Sequence, residues 1–144
     1  MSGPVFLVRH AEAVAGGVDA ERRLSAAGRQ AFGDLLSMIG PRLEVTRVLS
    51  SPFRRARETA ELLARSAGAT VEVEDELASG HGSGRDLLDL AHRAAPGTAL
   101  VAHNPEVSEA LAAAGGKRVA VPPGTVAALD VSGPAPVLLW VRSP

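Results

Sequence analysis

The sequence predicts a three-layer α/β/α sandwich, with a mainly parallel central sheet closed by a hairpin-like end. Two observations carry this. Short apolar runs alternate with helix-sized segments from Val5 to Ala114. Beyond that point the runs are separated only by Pro- and Gly-rich turns, as in strands joined directly to one another.

The elements follow in order. Val5 to Val8 is unbroken and has the β-branched and aromatic content of a buried strand, which stops at the charged pair Arg9-His10. Ser25 suits the N-cap of a helix over Ala26 to Ile39, and Gly40-Pro41 ends it. A second strand, Arg47 to Leu49, leads into Ser51-Pro52, a cap with Pro at the first helical position, and a helix over Phe53 to Ala67 stopped by Gly68. Val71 to Glu74 reads as a strand, Arg85 to Ala94 as a helix and Ala99 to Ala102 as a strand. Asn104-Pro105 repeats the cap-and-proline device before a helix over Glu106 to Ala114. Arg118 to Val121, Val126 to Val131 and Val137 to Val141 read as further strands, separated by Pro122-Pro123-Gly124 and Gly133-Pro134-Ala135-Pro136. There is no internal repeat and no linker, so residues 1–144 read as one domain.

Composition excludes several classes of function. A chain of 144 residues with 46% hydrophobic and 22% charged residues is that of a soluble globular protein with a real core. The formal net charge of −1 gives no bias toward nucleic acid or an anionic membrane. Trp140 and Phe6, Phe32 and Phe53 are too few aromatics for a base-stacking platform. The absence of cysteine removes disulfides, thiol catalysis and thiolate metal sites. The first apolar run is too short for a signal peptide, and no stretch approaches the ~20 apolar residues that span a bilayer. The expectation is a cytoplasmic protein without nucleic-acid or membrane partners.

Three strand exits carry the chemistry. The first gives Arg9-His10, the second Ser50-Ser51-Pro52-Phe53-Arg54-Arg55, and the fourth His103-Asn104-Pro105. Parallel strands bring such exits to one edge of the sheet, where ligands of open α/β folds bind. His10, Arg55 and His103 then converge, with two helix N-termini aimed at the same place, an arrangement suited to phosphate-like anions such as phosphate, sulfate, vanadate or tungstate. Arg55 lies in the first helical turn, where side chains lean back toward the helix N-terminus. Arg54 and Arg57 read as surface charges near Glu58 and Glu61. Glu12 reads as a loop charge and His92 as structural or exposed.

These motifs resemble the histidine phosphatase superfamily. Leu7-Val8-Arg9-His10-Ala11-Glu12-Ala13 is similar to its opening motif and Ser51-Pro52-Phe53-Arg54-Arg55-Ala56-Arg57-Glu58-Thr59-Ala60 to its second, with the functional arginine on Arg55. Val101-Ala102-His103-Asn104 is similar to the third, carrying the second histidine. Arg22-Arg23-Leu24-Ser25-Ala26-Ala27-Gly28 resembles a segment with a further phosphate-facing arginine, matching Arg22 as a substrate-binding residue. The short chain, the Ala11 variant and the lack of a long insertion look most like SixA-type phosphohistidine phosphatases. The resemblance implies a phosphoglycerate mutase-like fold, a phosphohistidine intermediate on His10, Arg9, Arg55 and His103 as its catalytic partners, no metal and no cofactor. It also implies a phosphorylated protein or a small phosphorylated molecule as substrate.

One departure bears on substrate. Larger members protonate an alcohol leaving group with a carboxylate from an insertion after the third strand. Here that segment is short, Glu74-Asp75-Glu76-Leu77-Ala78-Ser79-Gly80-His81-Gly82, with Glu76 the best positional candidate. A phosphoramidate, whose imidazole leaves already protonated, suits a site without a strong acid better than an alkyl phosphate does. The alternatives are a small-metabolite phosphomonoesterase of the same family and a non-catalytic phospho-ligand binding module. Phosphoglycerate mutase activity lacks room for its capping insertion. Gly80-His81-Gly82-Ser83-Gly84 reads as a mobile rim loop that matches neither phosphate-binding glycine fingerprint, with His81 a possible substrate contact. A zinc site from His10, His81 and His103 ranks low, because two arginines aimed at one spot repel a cation.

Overall fold

The computed structural model describes residues 3–144. Its elements are β1 (Val5–Arg9), α1 (Ala26–Ile39), β2 (Arg47–Ser50), α2 (Arg54–Ala67), β3 (Thr70–Val73), α3 (Gly84–Arg93), β4 (Thr98–Ala102), α4 (Glu106–Gly115), β5 (Val126–Asp130) and β6 (Val137–Arg142). They build a six-stranded sheet in the order β3-β2-β4-β1-β5-β6. β1 to β4 are mutually parallel, and β5 and β6 add an antiparallel hairpin beside β1.

The two faces of the sheet bury different residues of the same strands. Phe6, Val8, Val48, Ala99, Val101 and Ala128 pack against Phe32, Leu35 and Leu36 of α1 and Ala56, Ala60 and Leu63 of α2. Val5, Leu7, Leu49, Leu100, Ala127 and Leu129 pack against Leu87 and Ala91 of α3 and Val107, Ala110 and Leu111 of α4. Covering on both faces is why β1 and β4 read as unbroken apolar runs rather than alternating ones. No helix among the described residues is long and apolar enough to cross a membrane.

Local signals act mostly as expected. Ser25 caps α1 by accepting from Gly28 N–H, and Gly68 ends α2 in the left-handed region at φ 70°. α3 begins with a capping box between Ser83 and Asp86. Both proline devices cap later than the sequence places them, by two residues at α2 and by one at α4. Helix α2 starts after Phe53, which is its N-cap, and Pro105 is itself the N-cap of α4.

The expected strand Arg118 to Val121 does not form, and that segment is irregular. Both flanks of β1 are occupied, by β4 and β5. The segment's carbonyl at Val121 instead accepts from Arg9 Nη1 at 2.9 Å and from Asn104 Nδ2 at 3.1 Å. Pro122 and Pro123, which follow, have no N–H to continue a ladder.

Candidate active site

Sheet register gathers the three polar exits. Arg9 stands opposite Ala102 and Ser50 opposite Val101. Backbone ladders continue one residue further, His10 N–H to the Ala102 carbonyl at 3.1 Å and Ser51 N–H to the Val101 carbonyl at 3.0 Å. His10, Ser51 and His103 are thereby fixed beside one another at the carboxyl edge of the sheet, and all three are buried.

His10 has a defined tautomer. Its Nδ1 lies 2.7 Å from the Ala11 carbonyl, which can only accept, so Nδ1 carries the hydrogen and Nε2 presents a lone pair. Arg55 Nε donates to that Nε2 at 3.3 Å. Arg55 comes from the first turn of α2, is buried, and packs its guanidinium 5.0 Å from the centre of the Phe53 ring. Its remaining nitrogens reach Asp19, Nη1 donating to the backbone carbonyl at 2.8 Å and Nη2 to the carboxylate at 3.4 Å. Arg9 donates from Nη1 to Val121, while its buried Nε has no protein partner among the described residues. The His103 ring lies 5.1 Å from the His10 ring, and the Phe53 ring packs edge-on against it, also at 5.1 Å. His103 Nε2 is 2.7 Å from Ser51 Oγ.

Burial sets the charge state of both rings. It lowers His10 to about 4, assisted by the guanidinium charges of Arg55, Arg9 and Arg22 and opposed by the bond to Ala11. Burial also lowers His103 to about 3, with His10, Arg55 and Arg9 acting the same way and Asp19 opposing. At neutral pH the site therefore holds two uncharged imidazoles under arginine charge, which suits an anion and an unprotonated nitrogen nucleophile.

Arg22 reaches the cluster indirectly. Its Nε donates to Val14 O at 2.6 Å and its Nη1 to the Asp19 carboxylate at 3.0 Å, so Asp19 bridges Arg22 and Arg55. Spacing along the chain does not reveal Asp19, because it opens a single 3-10 turn, Asp19–Glu21, in the connection from β1 to α1, where those same contacts hold it. The Arg22 ion pair holds the Asp19 carboxyl below its ordinary value. Thr59 is a second supporting residue. It accepts from Ala11 N–H at 3.0 Å and donates to the Arg55 carbonyl at 2.8 Å, pinning the loop after β1 to α2. Glu58 is more than a surface partner of Arg54, since its carboxylate also accepts the Leu24 N–H at 2.8 Å. Glu12 takes the Ser25 hydroxyl at 2.8 Å, and His92, on α3, bonds the Gly133 carbonyl in the loop between β5 and β6 at 2.9 Å.

Other expectations shift. In α4 the first-turn N–H groups of Val107, Ser108 and Glu109 are taken by the His103 carbonyl, the Asn104 side chain and the Pro105 carbonyl, and Glu106 and Glu109 add negative charge there. That helix therefore offers an anion less than its position suggested. Glu76 and His81 line a neighbouring cleft of about 390 Å³, with Asp86, Arg93 and Glu106, rather than the His10 cluster. Among the described residues no three His, Asp or Glu side chains gather as a metal-ligand set, so His10, His81 and His103 do not form one.

Known proteins share this fold. The protein histidine phosphatase SixA complexed with tungstate is 25% identical, with TM-score 0.83 over 98% of this chain and 97% of that one. The putative phosphohistidine phosphatase SixA of Agrobacterium tumefaciens is 25% identical, with TM-score 0.84 over 100% of this chain and 99% of that one. A phosphoserine phosphatase of Entamoeba histolytica in complex with 3-phosphoglyceric acid is 16% identical and shares the fold, with TM-score 0.71 over 99% of this chain and 98% of that one. Comparison with curated protein sequences found no match. Residues 5–89 match the histidine phosphatase superfamily (branch 1), and this stretch carries the Arg9-His10 exit, the Arg22 segment and Arg55. With a phosphoglycerate mutase-like fold and SixA-like structural neighbours, the chain belongs to the histidine phosphatase superfamily.

Proposed function

We propose that this protein is a metal-independent phosphatase that hydrolyses phosphohistidine in a protein substrate through a phosphoryl group carried on His10. The observation that carries the reading is the Nε2 lone pair of a neutral His10, set by the Nδ1 bond to Ala11 and facing the Arg55 guanidinium. A phosphoryl group held by Arg55, Arg9 and His103, with Arg22 at the rim, places phosphorus against that lone pair. In the first step the bond from phosphorus to the substrate nitrogen breaks as the bond to His10 Nε2 forms. A phosphoimidazolium substrate, protonated on its second ring nitrogen, departs as neutral imidazole and takes no proton from the protein. In the second step water attacks phosphorus, His10 leaves neutral with its hydrogen on Nδ1, and both protons of the water stay with the product phosphate.

Leaving-group chemistry supports the phosphoramidate. The carboxylate bonded to Arg55 is Asp19, and its lowered pKa makes it a poor proton donor at neutral pH. The likeness to the histidine phosphatase SixA points the same way.

The test is phosphate release, after EDTA treatment, from a protein carrying phosphohistidine and from a phosphoserine peptide. The expected result is release from the former alone, with an acid-labile, base-stable phosphoryl group trapped on His10 by rapid quenching. His10→Ala abolishes labelling and turnover, and His103→Ala slows turnover by roughly 10²–10³-fold, the loss typical of one transition-state donor. Phosphate found on Ser51, full activity in His10→Ala, or activity restored only by Zn²⁺ or Mg²⁺ overturns the reading. Preference for a small phosphate ester assigns the same site to a metabolite phosphomonoesterase, and binding of phosphate without turnover assigns it to a binding module.

A further inference from the structure

Ser51 stands outside the steps above, yet it is fully buried where β2 gives way to α2, with Oγ 2.7 Å from His103 Nε2. The same Oγ accepts the Phe53 N–H at 3.2 Å. A hydroxyl has a single proton to donate and an amide N–H cannot accept it. Among the described residues His103 Nε2 is the acceptor within reach of that proton. Nε2 therefore accepts, and a neutral imidazole that accepts at Nε2 carries its hydrogen on Nδ1. The ring is held neutral by burial, at about 3. His103 Nδ1 is itself buried, and no protein group among the described residues pairs with it. A buried donor without a protein partner takes one from solvent, an ion or a ligand.

We propose that Ser51 is a positioning residue for phosphoryl transfer, its hydroxyl locking His103 in the Nδ1–H tautomer so that this N–H donates to a phosphoryl oxygen held beside His10. The proposal rests on the reading of His10 as phosphoryl acceptor. The opposite tautomer turns a lone pair toward the phosphoryl oxygens and converts an attraction into a repulsion. Phe53 fixes the plane of the same ring, its own ring packing edge-on against His103 at 67°. The Ser51-Pro52-Phe53 segment thus orients the second histidine while the next turn of the chain supplies Arg55. Ser50 stabilises the segment by donating from its hydroxyl to the Ser51 carbonyl at 2.8 Å.

The tautomer is read directly from long-range ¹H–¹⁵N correlations of the histidine side chains in the unliganded parent at pH 7. The expected spectrum shows His103 neutral with its hydrogen on Nδ1. In Ser51→Ala the expected spectrum loses that preference, vanadate binds about tenfold more weakly, and kcat falls about tenfold, the scale of one hydrogen bond. Ser51→Thr keeps the hydroxyl and is expected to restore both the tautomer and vanadate affinity. A parent spectrum with the hydrogen on Nε2, or a Ser51→Ala protein with unchanged tautomer and unchanged vanadate affinity, overturns the proposal. A parent that shows Nδ1–H yet binds no vanadate overturns the phosphoryl acceptor itself, and the proposal with it, so the two failures are told apart.

Discussion

Arg55 serves two neighbours with one planar fork, which is why lysine is a poor replacement. Its Nε meets the His10 lone pair while Nη1 and Nη2 hold Asp19. A bound phosphoryl group competes with the Asp19 carboxylate for the same guanidinium, and Asp19 is exposed enough to swing aside. Arg55→Ala removes a charged donor and leaves the anion without its buried partner. Losing a charge-assisted bond of this kind weakens vanadate or phosphate binding by about 2–3 kcal/mol, or roughly 30- to 150-fold. Arg55→Lys recovers only part of this, because an ammonium cannot span His10 and Asp19 together. Calorimetric titration with vanadate checks both, and parent-like affinity in Arg55→Ala places the anion elsewhere. The residues the structure draws together here, His10, Arg9, Arg55 and His103, were legible because their type and their place at a strand exit are both written in the chain. Asp19 was not. It lies beyond Gly16 and Gly17, both at positive φ, where no periodicity says how the chain turns back. Ser51 was hidden for another reason, since a serine before proline at a helix start ordinarily reads as a cap and nothing more.

The segment joining β1 to α1 is closed on itself by the Ala13–Leu24 bridge and held in place by the helices beside it. It is fastened to α2 through Thr59 and Glu58, and to α1 where Gly28 lies against Glu12. A Cβ at Gly28 would collide with the Glu12 backbone oxygen and crowd its N and Cβ atoms. Gly→Ala in a helix ordinarily stabilises by about 0.5–1 kcal/mol. At this position the sign reverses: Gly28→Ala is expected to cost about 1–3 kcal/mol, the range for overpacking against a backbone that must move. It should also weaken vanadate binding, because Asp19 and Arg22 ride on the displaced segment. Urea denaturation and the same titration measure the two effects, and a more stable Gly28→Ala protein refutes the close approach. The regular elements were legible to within a residue or two because apolar runs, Ser25, Gly68 and the later prolines all pointed one way. Arg118 to Val121 misled for a reason of topology. A β-branched apolar run makes a strand only where it lies along a free edge, and β1, which reaches this segment through the Arg9 side chain, already has β4 and β5 on its two flanks. The Val121 carbonyl serves Arg9 and Asn104, a role no local pattern announces.

Two apolar cores on either side of one sheet leave the carboxyl edge as the place where the molecule tolerates buried polar groups, and this ties stability to pH. In the unfolded chain His10 and His103 titrate near their ordinary value of 6.5, whereas the folded protein holds them at about 4 and about 3, chiefly by burial. Above pH 6.5 both states carry neutral rings and the folded protein has its full stability. As pH falls from 6.5 toward 4 the unfolded chain binds protons that the folded rings refuse, so stability declines through that window. The decline continues toward 3 for His103. For each ring, every pH unit descended through this window costs about 1.4 kcal/mol. Between pH 7 and 4.5 the two rings together then remove on the order of 5 kcal/mol from the unfolding free energy. Asp19 and Glu58, whose folded carboxyls sit below their ordinary values of 3.8 and 4.5, add a further loss as the pH falls through those values, overlapping the lower end of that window. Chemical denaturation at a series of pH values checks the slope. Replacing the rings in turn, His10→Gln and His103→Gln, flattens the curve above pH 4.5, because each substitution removes a group that only the unfolded state protonates. Activity obeys the same charge state but not the same window. The ring of His10 is neutral in the folded protein down to about 4, so kcat/KM for a phosphohistidine substrate should show no acid limb between pH 7 and 5 and fall only near 4. An acid limb near 6.5, together with stability that does not change between pH 7 and 4.5, would show that His10 titrates as a solvent-exposed ring and would remove the basis for its nucleophilicity at neutral pH.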